Sequence, residues 1–213
     1  MKDFFNADNI LFRFLSTFCD LMLLNALFII SCIPIVTIGP ALTALYYVAI
    51  KMIRKEYPSI ASDYIKAFKK HFVQSILLWL PLLFFIIFFL SDLYVIYFVI
   101  PDTYEMFQIP VWIFLFVIIS IIIYAFPLIG TYPDKTKPTI KNALLISLAN
   151  LPTTIFVVVI HFLIIKYALL SPKQLIMVFS LIIFVGYGFL AYFFSLFLDR
   201  IFTKIEEAHK EKE

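Results

Sequence analysis

The chain has 213 residues, 63% of them hydrophobic and only 15% charged, with a formal net charge of +3. A soluble domain carries roughly 45–50% apolar and about 25% charged residues, and one of this size still exposes about 30% of its unfolded surface. The composition therefore excludes an ordinary water-soluble fold, the small charge argues against a nucleic-acid partner, and 26 phenylalanines with only four glycines argue against disorder.

Lipid is the remaining solvent, and the expected fold is an all-α polytopic membrane helical bundle. A span needs about 20 apolar residues to cross ~30 Å of hydrocarbon. Six stretches qualify in chain order: residues 14–33, 35–53, 76–100, 111–130, 151–170 and 175–198. The first is too long for a signal-peptide core and no small-residue cleavage site follows it, so it reads as a retained anchor. Its two cysteines, Cys19 and Cys32, lie too far apart along one helix to pair and read as buried reduced thiols. The second stretch is short and polar for a span. It contains Thr37, Gly39, Pro40 and Thr43, and Pro34 with Gly39-Pro40 signals a turn into a new helix. It reads either as a span, giving six in all, or as a re-entrant segment, giving five.

Basic residues favour six spans with both termini cytoplasmic in the cell membrane. In that arrangement all but Lys166 and Lys173 of the 17 basic residues face the cytoplasm, and the outer loop around residues 101–110 holds Asp102 and Glu105 but no base. Five spans would move Lys2 and Arg13 to the outer side.

Two cytoplasmic linkers, residues 56–74 and 137–149, have amphipathic helical spacing. In the first, Ile60, Tyr64, Ile65, Phe68 and Phe72 share one side and Lys66, Lys69 and Lys70 the other, as expected of a helix lying on the membrane surface. The second starts a helix at Pro138 or Thr139. A charged tail, residues 199–213, closes the chain.

Polar residues within spans mark functional sites or buried pairs. Asp20, Asn25, Asn150 and His161 are the candidates. Asp20 reads as a contact to substrate or subunit, or as one side of an interhelical hydrogen bond or a partner of Arg13. His161 reads as a proton relay, or as a neutral imidazole bonded to a neighbouring helix. Trp79, Tyr94, Tyr97, Trp112, Tyr124, Tyr132 and Tyr167 fall near span ends, where aromatic belts anchor a protein. Gly186-Tyr-Gly188 reads as a close-packing point for a helix. No phosphate loop, zinc-protease helix or nucleophile elbow occurs, so no catalytic residue, metal or cofactor is implied.

The stretch from Asn25 through Pro34-Ile-Val-Thr37-Ile-Gly39-Pro40 to Tyr46-Tyr47 resembles the start of the YesL family, small membrane proteins of Gram-positive bacteria built on a domain of unknown function. Phe68-Lys69-Lys70-His71-Phe72, Lys141-Asn142-Ala143 and Asn150-Leu-Pro152 are similar to it as well. His71 replaces an expected asparagine, and Glu56-Tyr57 replaces a glycine-containing turn. Members tend to be encoded beside carbohydrate ABC importers, so the resemblance implies a non-enzymatic accessory protein of sugar uptake or its regulation, with ABC transporter subunits as partners. The first linker, with Lys66, Phe68, Lys69 and Phe72, is then the expected partner-binding surface. The alternative is a permease with its own path, lined by the polar intramembrane residues.

Overall fold

The computed structural model describes residues 10–99, 106–132 and 136–210. Lys2, Asp102, Glu105, Lys135 and Lys212 lie outside these, as do the side chains of Arg13 and Lys210, and with them the pairing of Asp20 with Arg13.

Eight α-helices make up the described fold, with no strand among the described residues: α1 (Ile10–Cys32), α2 (Ile38–Ile53), α3 (Ile60–Phe98), α4 (Gln108–Thr131), α5 (Thr136–Ala149), α6 (Leu151–Leu169), α7 (Pro172–Leu181) and α8 (Tyr187–Lys210). Five helical stretches are long and apolar enough to cross a membrane: Phe14–Cys32, Ile35–Ile53, Ile60–Phe98, Gln108–Thr131 and Leu151–Leu169. A sixth would be the α7–α8 pair, which meets at 69°. The chain is thus an all-α polytopic bundle, with some 50 large hydrophobic side chains, Phe84, Phe88 and Ile113 among them, turned outward where lipid would cover them.

Local sequence explains where the helices begin. Pro40 occupies the first turn of α2, Pro138 that of α5, and Pro152 that of α6, positions where the missing N–H costs nothing. Ser171 caps α7 by accepting from the Gln174 backbone N–H, with Pro172 next.

α2 forms the centre of the fold. Gly39, Ala41, Thr43, Ala44 and Ala49 keep its surface narrow, and every residue from 39 to 50 except Tyr47 is buried. Around it pack the first half of α3, the second half of α4 and much of α8. Small residues permit such close approach in apolar surroundings, where packing rather than water drives association.

Two sequence expectations are corrected here. From Ile60 on, the linker 56–74 and the span beginning at 76 are one uninterrupted helix, α3. Its buried residues Ile60, Tyr64, Ala67, His71 and Ser75 recur every three to four positions and pack on α2, so this apolar face meets protein rather than a flat lipid surface. Ile65 is turned out, and Phe68 and Phe72 are half-buried. The last span does not run straight: α7 passes through a π-helical turn, Ile182–Gly186, into α8, and α8 carries the start of the expected tail as helix to Lys210. The second linker is helical as expected, as α5.

Beyond Trp79, α3 moves toward the edge of the central bundle: Leu82 still belongs to the main core, and Leu83, Ile86 and Phe89 pack against it. Its outer half pairs with the first half of α4 through stacked Phe89 and Phe114 rings (centroids 5.3 Å apart), a small cluster of Leu93, Val111 and Leu115, and a hydrogen bond from Tyr97 to Gln108.

Candidate functional site

The Pro34–Pro40 motif is a structural joint. α1 ends at Cys32, a short 3-10 turn follows at Ile35–Thr37, and α2 starts at Ile38. The Thr37 hydroxyl is directed at the carbonyls of Ser31 (2.6 Å) and Pro34 (2.7 Å), tying off the end of α1. Trp79 Nε1 donates to the Ile35 carbonyl at 2.9 Å. A Cβ on Gly39 would stand 2.6 Å from Trp79 Cβ and 2.8 Å from the Ser75 carbonyl, so only glycine admits this approach of α2 to α3. One turn on, the buried hydroxyls of Thr43 and Ser75 bond at 2.8 Å. Thr37, Gly39 and Trp79 therefore act together, locking the turn against the middle of α3.

Asn25 forms a second joint. It is fully buried, and its amide donates to the carbonyls of Ile182 (3.0 Å) and Ile183 (2.8 Å) while its oxygen accepts from the Gly188 backbone N–H at 2.9 Å. A π-helical turn shifts the hydrogen-bond register, and Asn25 bonds two carbonyls at the start of this one and the Gly188 N–H just beyond its end. Gly188 allows the contact, since a Cβ there would meet the Leu21 carbonyl at 2.8 Å and Asn25 Cβ at 3.0 Å. The reading of Gly186–Gly188 as a close-packing point is borne out at Gly188.

The other polar candidates are separate from these. His161 Nδ1 is 2.8 Å from the Val157 carbonyl of its own helix, and its ring stacks on Phe194. This bond is within α6, and the neighbouring α8 meets the ring through Phe194. Asn150 precedes α6 and donates to the Ile146 carbonyl at 3.0 Å. Asp20 is half-buried on α1, and no ion pair to it occurs among the described residues. None of the four polar residues lines the open groove beside the π-helical turn. Cys19 is exposed and Cys32 half-buried, both free, so the expectation of buried thiols fails for Cys19, which lies on the lipid-facing side of α1. Trp79 and Tyr124 are core residues rather than belt anchors: Trp79 ties the turn, and the Tyr124 hydroxyl meets that of Thr154 at 3.0 Å. Tyr94, Tyr97, Trp112 and Tyr167 are exposed.

At the far end of α2 the residues are charged. Arg54 pairs with Asp199 (2.6 Å) and Glu206 (3.1 Å) on α8, and the Tyr132 hydroxyl donates to the same Glu206 oxygen at 2.6 Å. Burial works against the Arg54 charge, but the hydrogen bonds and charges of Asp199 and Glu206 outweigh it and push the guanidinium further above its ordinary value. Lys51 reaches Asp63 at 3.5 Å. Lys55 and Tyr57, in the turn to α3, sit in the left-handed backbone region (φ 57° and 47°), which is where a glycine would be unstrained. From there Lys66, Lys69 and Lys70 form an exposed basic stripe along α3.

An open groove of about 710 Å³ lies beside the π-helical turn, walled by Leu181, Phe184, Phe189 and Phe193 with Ser180 at one edge. Its walls suit an acyl chain rather than a sugar. Among the described residues no group of three His, Cys, Asp or Glu side chains is arranged to hold a metal.

Sequence reasoning singled out the motif turn and Asn25 but missed Trp79 as a donor, the Thr43–Ser75 bond and the Arg54 cluster. A lone arginine beside an apolar run, with acidic residues on a late helix, is the only signal for the last of these.

Residues 21–93 match the family model described as "Protein of unknown function, DUF624". The matched segment runs from α1 to α3 and contains the whole motif turn with its bonding partners Ser31 and Trp79. No curated protein matches, and no solved structure matches.

Proposed function

We propose that this chain is a non-enzymatic accessory membrane protein whose charged end docks a subunit of a carbohydrate ABC importer or of its regulatory machinery. The matched family model carries no function. The link to sugar uptake rests on the resemblance to the YesL family, with which that match is consistent. The observation that supports a docking role is the rigid basic stripe: Lys66, Lys69 and Lys70 stand exposed on a helix fixed to α2 along its other face. A permease would need its intramembrane polar groups free for cargo, whereas Asn25, Asn150 and His161 spend theirs on backbone carbonyls.

The test is affinity purification from native membranes in mild detergent, comparing the parent protein with a Lys66→Gln, Lys69→Gln, Lys70→Gln variant. Exposed substitutions of this kind change stability by no more than about 0.5 kcal/mol each. The thermal midpoint should therefore stay in place while recovery of transporter subunits drops several-fold. Equal recovery from both proteins, or none from the parent, refutes the docking surface. Sugar uptake by proteoliposomes holding this protein alone would favour the permease instead.

A further inference from the structure

We infer that the turn between α1 and α2 ends inside the hydrocarbon, so that the chain enters the bilayer along α1 and leaves it along α2 on the same, cytoplasmic side, with lipid acyl chains as the partner of the turn's exposed tip.

The register of α2 on α3 carries the first half of the argument. The turn lies beside Trp79, through the Ile35 carbonyl and Gly39, and Thr43 lies beside Ser75. The charged residues that bound the apolar part of α3 are Lys70 and Asp92, about 33 Å apart along the helix at 1.5 Å per residue. That matches a hydrocarbon core of about 30 Å. Trp79 lies about 13 Å from Lys70 and about 20 Å from Asp92 on the same scale. The turn is therefore well short of the outer face. Past it α3 and α4 continue together, through Phe89 and Phe114 to Tyr97 and Gln108, with Phe84, Phe85, Phe88, Ile113 and Phe114 exposed along them.

The chemistry of the turn is the second half. Its outward side chains are Ile33, Ile35 and Val36, 77%, 63% and 47% exposed, with Pro34 between them. Its polar groups turn inward. Thr37 N–H donates to the Pro34 carbonyl at 3.0 Å, Ile33 N–H reaches the Ile30 carbonyl at 3.4 Å, the Thr37 hydroxyl covers the Ser31 and Pro34 carbonyls, and Trp79 covers that of Ile35. A turn in water needs none of this; irregular backbone at membrane depth survives only when its hydrogen bonds are closed by protein. The turn at the other end of α2 is built for water, with Lys55, Glu56, Tyr57 and Ser59 exposed. Because both ends of the α1–α2 hairpin then face the same side, the cytoplasmic placement of the basic residues is unchanged.

The test uses nitroxide labels on single cysteines in a Cys19→Ala, Cys32→Ala protein, reconstituted into phosphatidylethanolamine–phosphatidylglycerol vesicles. Collision with oxygen reports hydrocarbon, and collision with a polar nickel chelate reports water. A label at Val36 should resemble one at Phe88, oxygen-rich and nickel-poor, and one at Glu56 should show the reverse. Ile33 serves as a second site should Val36→Cys fail to fold. In intact cells a membrane-impermeant maleimide should leave both sites unlabelled. Labelling from outside, or nickel accessibility at Val36 and Ile33 equal to that at Glu56, would overturn the inference.

Discussion

The side chain most tightly specified by its surroundings is Asn25. It makes three hydrogen bonds to backbone groups of the π-helical turn and the start of α8, more than 150 residues away in sequence. An Asn25→Leu substitution keeps the volume but strands the Gly188 N–H and two carbonyls. A buried group left unpaired costs about 1–3 kcal/mol in water-soluble proteins, while interhelical polar bonds in membranes average about 0.6 kcal/mol. The expected loss is on the order of 1–2 kcal/mol, seen as a lower thermal midpoint in detergent. Asp20→Asn should leave that midpoint almost unmoved, since Asp20 is half-buried and outside this arrangement. An asparagine within an apolar run was legible as something special. Its partners were not, because they are main-chain groups freed by an irregular turn that no side-chain pattern announces.

At the scale of elements, the decisive feature is that α3 does not stop. Its sequence changes character near Val73, from a charged amphipathic helix to an almost uniformly apolar one, and a change of period reads as a boundary. Yet His71-Phe72-Val73-Gln74-Ser75-Ile76 holds no glycine or proline to break the helix, and Pro81 sits inside α3 without ending it. Propensity carried the helix through. What pins the remaining elements to it is glycine. Gly39→Ala places a methyl against Trp79 Cβ and the Ser75 carbonyl, neither of which is the free end of a flexible chain. Forcing α2 off α3 there should cost about 1–3 kcal/mol. Gly130→Ala meets the Thr43 carbonyl at 3.1 Å and Tyr47 Cβ at 3.2 Å, a contact that a shift of a few tenths of an ångström relieves. Thermal midpoints should therefore fall further for Gly39→Ala than for Gly130→Ala. The reverse order would mean that the α2–α4 contact, not the motif turn, sets the bundle. The motif itself was legible from Pro34, Thr37, Gly39 and Pro40, but its partner on α3, Trp79, looked like an interfacial anchor because its position near a span end is what an anchor would also have.

Across the whole molecule, segments remote in sequence are drawn together at the charged end by Arg54, Tyr132, Asp199 and Glu206. They join the end of α2, the end of α4 and the middle of α8. The Tyr132 ring also stands edge-on to buried Phe202, its centroid 5.7 Å away. Burial pushes the Tyr132 phenol above its ordinary value, and the bond to Glu206 adds to the rise. A phenol raised on folding keeps its proton where the unfolded chain has already released it. Its contribution is therefore complete below the ordinary tyrosine pKa of about 10 and declines as the pH climbs past it. Arg54, raised as well, stays charged throughout this range. Tyr132→Phe removes the bond to a carboxylate while keeping the ring against Phe202, so it should cost about 1–2 kcal/mol at neutral pH. The variant should then lose less stability than the parent between pH 9 and 11, and the two thermal midpoints should converge as the pH rises. Midpoints that stay parallel across that interval would show that the Tyr132 proton does not contribute to holding the three helices together.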